Sequence, residues 1–348
     1  MTKPASPIDE ILLRQAVSSG VITHDQANRL LALAAETAER PKEPQDDEKL
    51  RFITGFNDIF VTLGCGLFLG ALGYLASQFH GALAGGAVAA TSWLLAEYFT
   101  RRRRMALPSI VLVGTFVAGV FIAASGAFHG AVSIDDVGPV SAAMGAVVAL
   151  GAAALHYWRF RVPITIAAGA AAAGGALLAI LSAAAPELTP ALLQPILIVL
   201  GLAAFTLAMR FDLKDPERLT LNTDIAFWLH LLAAPLIVHP LISGIADVGG
   251  GTMTTGSALA VLATFLALGL VALAVDRRAM LVSGLVYAGV AFSRLVGLSE
   301  DTGWPLTMLV LGIFVLTLSA GWHPLRRTIL ACLPSGVSAR LPHPLTSG

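Results

Sequence analysis

From Ile59 onward the chain consists of apolar runs about as long as a bilayer is thick, and this feature constrains it most. A helix needs about 20 predominantly apolar residues to cross about 30 Å of hydrocarbon. Ten segments meet that description: 59–79, 82–99, 106–128, 139–157, 162–184, 190–209, 225–244, 256–275, 279–297 and 304–322. In lipid each backbone N–H and C=O must find its partner within the protein, so uninterrupted runs of this kind are helices. The expected fold is therefore all-α: a polytopic transmembrane bundle of about ten spans. Composition agrees, with 56% hydrophobic and 13% charged residues against about 45–50% apolar and about 25% charged in soluble domains. A water-soluble enzyme is excluded as a starting point. The formal net charge of zero speaks against a nucleic-acid binder, which would be basic.

Basic residues give the ten-span reading an orientation. Cytoplasmic loops carry the excess of Lys and Arg. With the N-terminal tail inside, alternate loops carry Arg101–Arg104, Arg159 with Arg161, Arg210 with Lys214 and Arg218, and Arg277 with Arg278. The opposite loops hold Asp135, Asp136, Glu187, Asp247, Glu300 and Asp301 and have no Lys or Arg. Arg294 alone lies within a span. Both termini are expected in the cytoplasm.

The flanks read differently from the bundle at 51–322. Residues 1–50 form a cytosolic helical hairpin with a charged linker. Ile8, Leu12, Leu13 and Ala16 recur at helical spacing, and Gly20 sits where a first helix would end. Thr23 with Gln26 matches a capping box that opens a second helix, carrying Ala27, Leu30, Leu31 and Leu33. Arg40–Lys49 (RPKEPQDDEK) is the linker. So small a hairpin cannot bury a core of its own. It is expected to dock through residues 8–40 on a protein partner, on a second copy of itself, or on the membrane face. The bilayer is the other expected partner, and no nucleic acid is. The polar N-terminus reads as no signal peptide. Residues 323–348 form a cytosolic amphipathic tail, with Trp322 as an interfacial anchor and Arg326 and Arg327 toward headgroups. Cys65 and Cys332 have neither disulfide nor metal-ligand spacing.

Familiar catalytic patterns are missing. No His precedes a Glu, so there is no HExxH helix, and no Gly precedes any lysine, so there is no P-loop. Ala123-Ala124-Ser125-Gly126 shares only its last two positions with the serine motif of rhomboid-type proteases. The chain is read as no enzyme, with no cofactor. What remain are ionisable residues in or beside spans, which usually face the protein interior. Arg294 could bind an anion or pair with an acid across the bundle, or else snorkel outward to the headgroups or pair with Glu300 or Asp301. His230 could relay a proton or touch a ligand. His239, nine residues on, lies on the opposite helix face and near the boundary. Glu97 stands one turn before Arg101, where an i,i+4 ion pair is expected. The Arg101–Arg104 run would hold its loop inside and attract anionic headgroups. Asp58, in Asn57-Asp58-Ile59, and Asp224, in Asn222-Thr223-Asp224-Ile225, both suit the N-terminus of a helix.

Small residues suggest close packing: Gly66 with Gly70, Gly81 with Gly85, and Ala167, Ala171 and Gly175. No convincing internal repeat is visible.

The segments RFITGFNDIFVTL (Arg51–Leu63) and WHPLRRTILACLP (Trp322–Pro334), with the hairpin, resemble a family of uncharacterised bacterial polytopic inner-membrane proteins that carry an N-terminal cytosolic hairpin and a domain of unknown function. The resemblance implies a bacterial inner-membrane setting and no catalytic residues. Two functions are expected on nearly equal terms. One is binding or movement of a small solute or lipid, resting on Arg294 and His230. The other is a non-transporting scaffold or sensor that recruits a partner through the hairpin.

Overall fold

A computed structural model describes residues 10–39, 56–129, 137–215, 220–246, 254–296 and 300–333. The linker at 40–49, the first half of Arg51–Leu63, Ile8, the loop acids Asp135, Asp136 and Asp247, and Arg218 and Arg340 lie outside them. The chain divides into two compact units, Met1–Lys49 with Leu345–Gly348, and Leu50–Pro344.

In the first unit α1 (Glu10–Ser18) and α2 (His24–Glu39) form a hairpin. Gly20, at φ +71°, takes the left-handed conformation that a residue with a Cβ resists. The capping box is formed: Gln26 N–H donates to Thr23 Oγ1 at 3.3 Å, and Thr23 N–H to Gln26 Oε1 at 2.9 Å. Leu13 and Ala27 are buried, while Val21, Leu30 and Leu33 are exposed.

The second unit contains α3 (Phe56–Ser77), α4 (Gly81–Ala96), α5 (Ala106–His129), α6 (Pro139–Phe160), α7 (Ile164–Ala184) and α8 (Thr189–Lys214). It continues with α9 (Leu221–Ala246), α10 (Thr255–Val275), α11 (Ala279–Val296), α12 (Glu300–Ala320) and α13 (Trp322–Cys332). Among the described residues there is no strand, and the fold is an all-α helical membrane bundle. Each expected apolar run coincides with a helix, but ten spans is too many. Seven helices (α3 and α5–α10) are long and apolar enough to cross, and α12 with α13, bent by 70°, would make an eighth. The shortfall is one of length. The 16 residues of α4 rise only about 24 Å at about 1.5 Å each, because the α-helix gives way to a π-helical turn, Glu97–Arg102. α11 has 18 residues, and α12 breaks at Gly321.

The neighbour pattern is regular. α3, α4 and α5 pack mutually, as do α5, α6 and α7, then α7, α8 and α9, then α9, α10 and α11. The odd-numbered helices α3 to α11 thus follow one another in a row, and α4, α6, α8 and α10 each lie in the notch between two of them. Small residues make these triplets close. A Cβ on Gly85 would come within 2.5 Å of the Ala123 backbone nitrogen, and one on Gly119 within 2.8 Å of the Gly85 carbonyl oxygen. Gly201 meets Ile237 in the same way on α8 and α9. Gly66, Gly70 and Gly175, also expected at contacts, have open space where a Cβ would go. Apolar centres fill these triplets, for example Cys65, Leu69, Ala96 and Leu112 in the first, and Val238, Ile242, Ala258, Val261 and Ala291 in the last. Outward faces remain apolar, as on α3, where Phe60, Leu63, Leu67 and Leu75 are exposed. A surface of this kind suits lipid rather than water.

Candidate functional site

The densest polar cluster lies where α8, α9, α10 and α13 meet. Asp212, in the last turn of α8, is buried and faces two other elements. Its Oδ2 accepts from His230 Nε2 on α9 at 2.9 Å and from Arg277 Nε at 3.3 Å, while Arg277 Nη2 closes on Oδ1. None of the three side chains is more than 2% exposed. An ionised carboxylate can only accept, so His230 carries its proton on Nε2. The Arg277 guanidinium matches the two carboxylate oxygens with two parallel donors, the strong form of such a pair.

Arg277 is brought there by the end of α10. Asp276 caps that helix in a left-handed conformation, φ +64°, a turn that Asp tolerates better than most residues. While Arg277 serves Asp212, Asp276 serves the C-terminal helix. Trp322 Nε1 donates to Asp276 Oδ1 at 2.7 Å, and Arg326 Nη1 lies 3.3 Å from Oδ2. Arg278 stacks its guanidinium 5.1 Å from the Trp322 ring. Beside this, Asp215 Oδ2 accepts from the Thr220 backbone and hydroxyl, both at 2.7 Å, and from Thr223 Oγ1 at 3.0 Å. Two adjacent residues, Asp276 and Arg277, therefore tie one buried ionic centre to α13.

A second, more open cluster joins α4 to α6. Arg159 grips Glu97 with two donors, Nε to Oε1 and Nη2 to Oε2, both at 2.9 Å. Arg101 adds a contact at 3.2 Å. In both clusters an acid at the end of one even-numbered helix meets an arginine at the end of the next. Deeper on α6, His156 is buried against Phe160, Phe116 and Trp93, with ring centroids at 4.5, 5.4 and 5.9 Å, and its Nδ1 lies 3.3 Å from Thr165 Oγ1.

The residues expected from sequence are not brought into one site. His230 belongs to the buried cluster, and Glu97 has the expected Arg101 partner as well as Arg159. Arg294 is exposed on α11. Asp58 is buried in the first turn of α3, and its carbonyl accepts from Thr62 Oγ1 at 2.6 Å. His239 is exposed and bonds to Tyr287. Two expectations for the C-terminal segment need correcting: Trp322 and Arg326 are each 1% exposed, held inward by Asp276, and only Arg327 of the pair is exposed. Asp212, Asp276 and His156 were not singled out from sequence, and Arg277 and Arg326 only as inside or headgroup-facing charges. Asp212 and the Asp276-Arg277 pair had one signal, acids at span ends among residues that otherwise looked like topogenic arginines.

Fold and site together define a helical membrane protein with a buried Asp–His–Arg centre at one end of its bundle. Comparison with protein-family models, curated proteins and solved structures finds no match.

Proposed function

We propose that this chain is a multi-pass protein of the bacterial inner membrane, with both termini cytoplasmic, acting as a membrane sensor or scaffold rather than as an enzyme. One observation carries the reading. Asp276 and Arg277 join the Asp212–His230 centre directly to α13, so a change at the ionic centre is felt by the C-terminal helix. The exposed Val21, Leu30 and Leu33 on the hairpin (75%, 41% and 63% exposed) support recruitment of a partner at the N-terminal end. The inner-membrane setting rests on the family resemblance at both ends of the bundle. The cytoplasmic termini rest on the sorting of arginines to alternate loops, which requires α4, α11 and α12 to cross together with the seven longer helices.

Binding or movement of a small solute or lipid is the second reading. It is favoured by the fully buried Asp212–His230–Arg277 cluster, since ionisable groups among apolar helices commonly line ion or substrate paths. Arg294 contributes nothing to that reading, because its side chain is exposed.

A deletion strain, screened across solutes and stresses, separates the two when complemented with chosen variants. For a scaffold or sensor, a chain lacking residues 1–50 fails to restore the phenotype and loses its partner in pull-downs. For a carrier, that truncation restores growth, while Asp212→Asn and His230→Gln fail on particular solutes. Full function and unchanged pull-downs from the truncated chain refute the first reading.

A further inference from the structure

Six arginines gather at the end of the bundle formed by the α4–α5 and α6–α7 turns: Arg101–Arg104, Arg159 and Arg161. The carboxylates of Glu97 and, in the first turn of α3, Asp58 belong to the same end of the bundle. Glu97 is committed to Arg159 and Arg101, and Asp58 is 3% exposed. Arg103 donates to the Tyr98 hydroxyl through Nε at 3.2 Å and Nη2 at 3.1 Å. Arg102, Arg104 and Arg161 are exposed.

The two turns are locked side by side. The Arg159–Glu97 fork joins them, and Phe160 sits 5.0 Å from Trp93 and packs with Phe99 on the first apolar centre. Each turn holds one arginine with a left-handed backbone, Arg104 at φ +53° and Arg161, the C-terminal cap of α6, at φ +57°, the conformation in which helices commonly end. The helices that lead into these turns are apolar, so the guanidinium groups stand at the depth of lipid headgroups. A fixed guanidinium matches phosphate oxygens with paired donors.

We propose that Arg102, Arg104 and Arg161 form a composite binding site for the phosphate headgroup of an anionic phospholipid, with the Glu97–Arg159 fork as the brace that aligns the two turns. The site goes beyond a topogenic role for one arginine run, because it needs Arg161 from a separate turn. It is independent of the sensor or carrier reading.

The test uses the full chain in neutral detergent and in nanodiscs of phosphatidylcholine, with or without phosphatidylglycerol. Native mass spectrometry and thermal unfolding read binding. The wild type should retain phosphatidylglycerol in preference to phosphatidylcholine and unfold at a higher temperature with it. Each arginine near a membrane surface changes anionic-lipid affinity by roughly fivefold, so R102Q/R104Q/R161Q should bind about a hundredfold more weakly. R161Q alone should show a measurable part of that loss. R102K/R104K/R161K checks folding: it should keep the part of the preference that charge alone supplies and lose the part owed to paired guanidinium donors, and full wild-type preference overturns the guanidinium site. Equal retention of the two lipids by the wild type overturns the proposal, as does undiminished binding by the triple glutamine variant. If inorganic phosphate reproduces the effect in phosphatidylcholine, the site takes soluble anions and the lipid assignment fails. If R161Q binds as the wild type does, the composite site fails.

Discussion

Replacing Arg277 with methionine should expose how the buried centre is balanced. The guanidinium and the Asp212 carboxylate are almost wholly out of solvent, so removing one leaves a buried charge that the other no longer compensates. Loss of one partner of such a pair costs about 3–5 kcal/mol, whereas replacing both by apolar groups is often neutral or favourable. Asp212→Leu/Arg277→Met should therefore be much less harmful than the sum of its single variants. It should not reach wild-type stability, because His230 Nε2 then loses its acceptor, and a buried unsatisfied donor costs about 1–3 kcal/mol. Adding His230→Leu should recover most of that remainder. Glu97→Gln is the internal control. The Arg159 and Glu97 side chains are 28% and 30% exposed, and partly solvated pairs contribute about 0.2–1 kcal/mol. The assay is reversible unfolding in mixed micelles, followed by tryptophan fluorescence, with the wild type and the five variants measured in parallel. The reasoning is refuted if Arg277→Met costs no more than Glu97→Gln, or if the double variant equals the sum of the singles.

Three further outcomes follow from the packing. Gly119→Val should cost at least about 1–3 kcal/mol through overpacking against Gly85 and Ala89, while Gly66→Ala stays within about 0.5 kcal/mol; the same unfolding assay reads both. Arg294→Gln should leave stability within about 0.5 kcal/mol of wild type, as expected of an exposed site, and a larger loss would place that side chain in a packed contact. Asp276→Leu removes the acceptor shared by Trp322 and Arg326, so tryptic cleavage after Arg326 and Arg327 should become faster in the folded protein, and unchanged cleavage would show that α13 is held by apolar contacts alone.

Periodicity and run length specify helices because lipid gives the backbone no other partner, and this level of structure was legible residue by residue. The Thr23–Gln26 capping box, the turn at Gly20 and the Glu97–Arg101 pair were legible for the same reason: each is closed within four residues. Span number was less so. The 82–99 run looked continuous, but its α-helix ends at Ala96, and only the backbone geometry records the π-helical turn that follows.

What the sequence by itself determined is an all-α membrane bundle and the local devices that start, stop and pair within its helices. What only the tertiary structure decided is which arginines are built into the fold. Arg277 and Arg326 look the same as Arg327 in a count of inside charges. Asp212 stands 65 residues from Arg277, and Asp276 stands 46 from Trp322. Partners at those distances are set by how α8, α10 and α13 meet, and no local pattern encodes that. The same packing joins Arg159 to Glu97 and leaves Arg294 exposed, which makes the polar centre Asp212–His230–Arg277 rather than a span-embedded arginine.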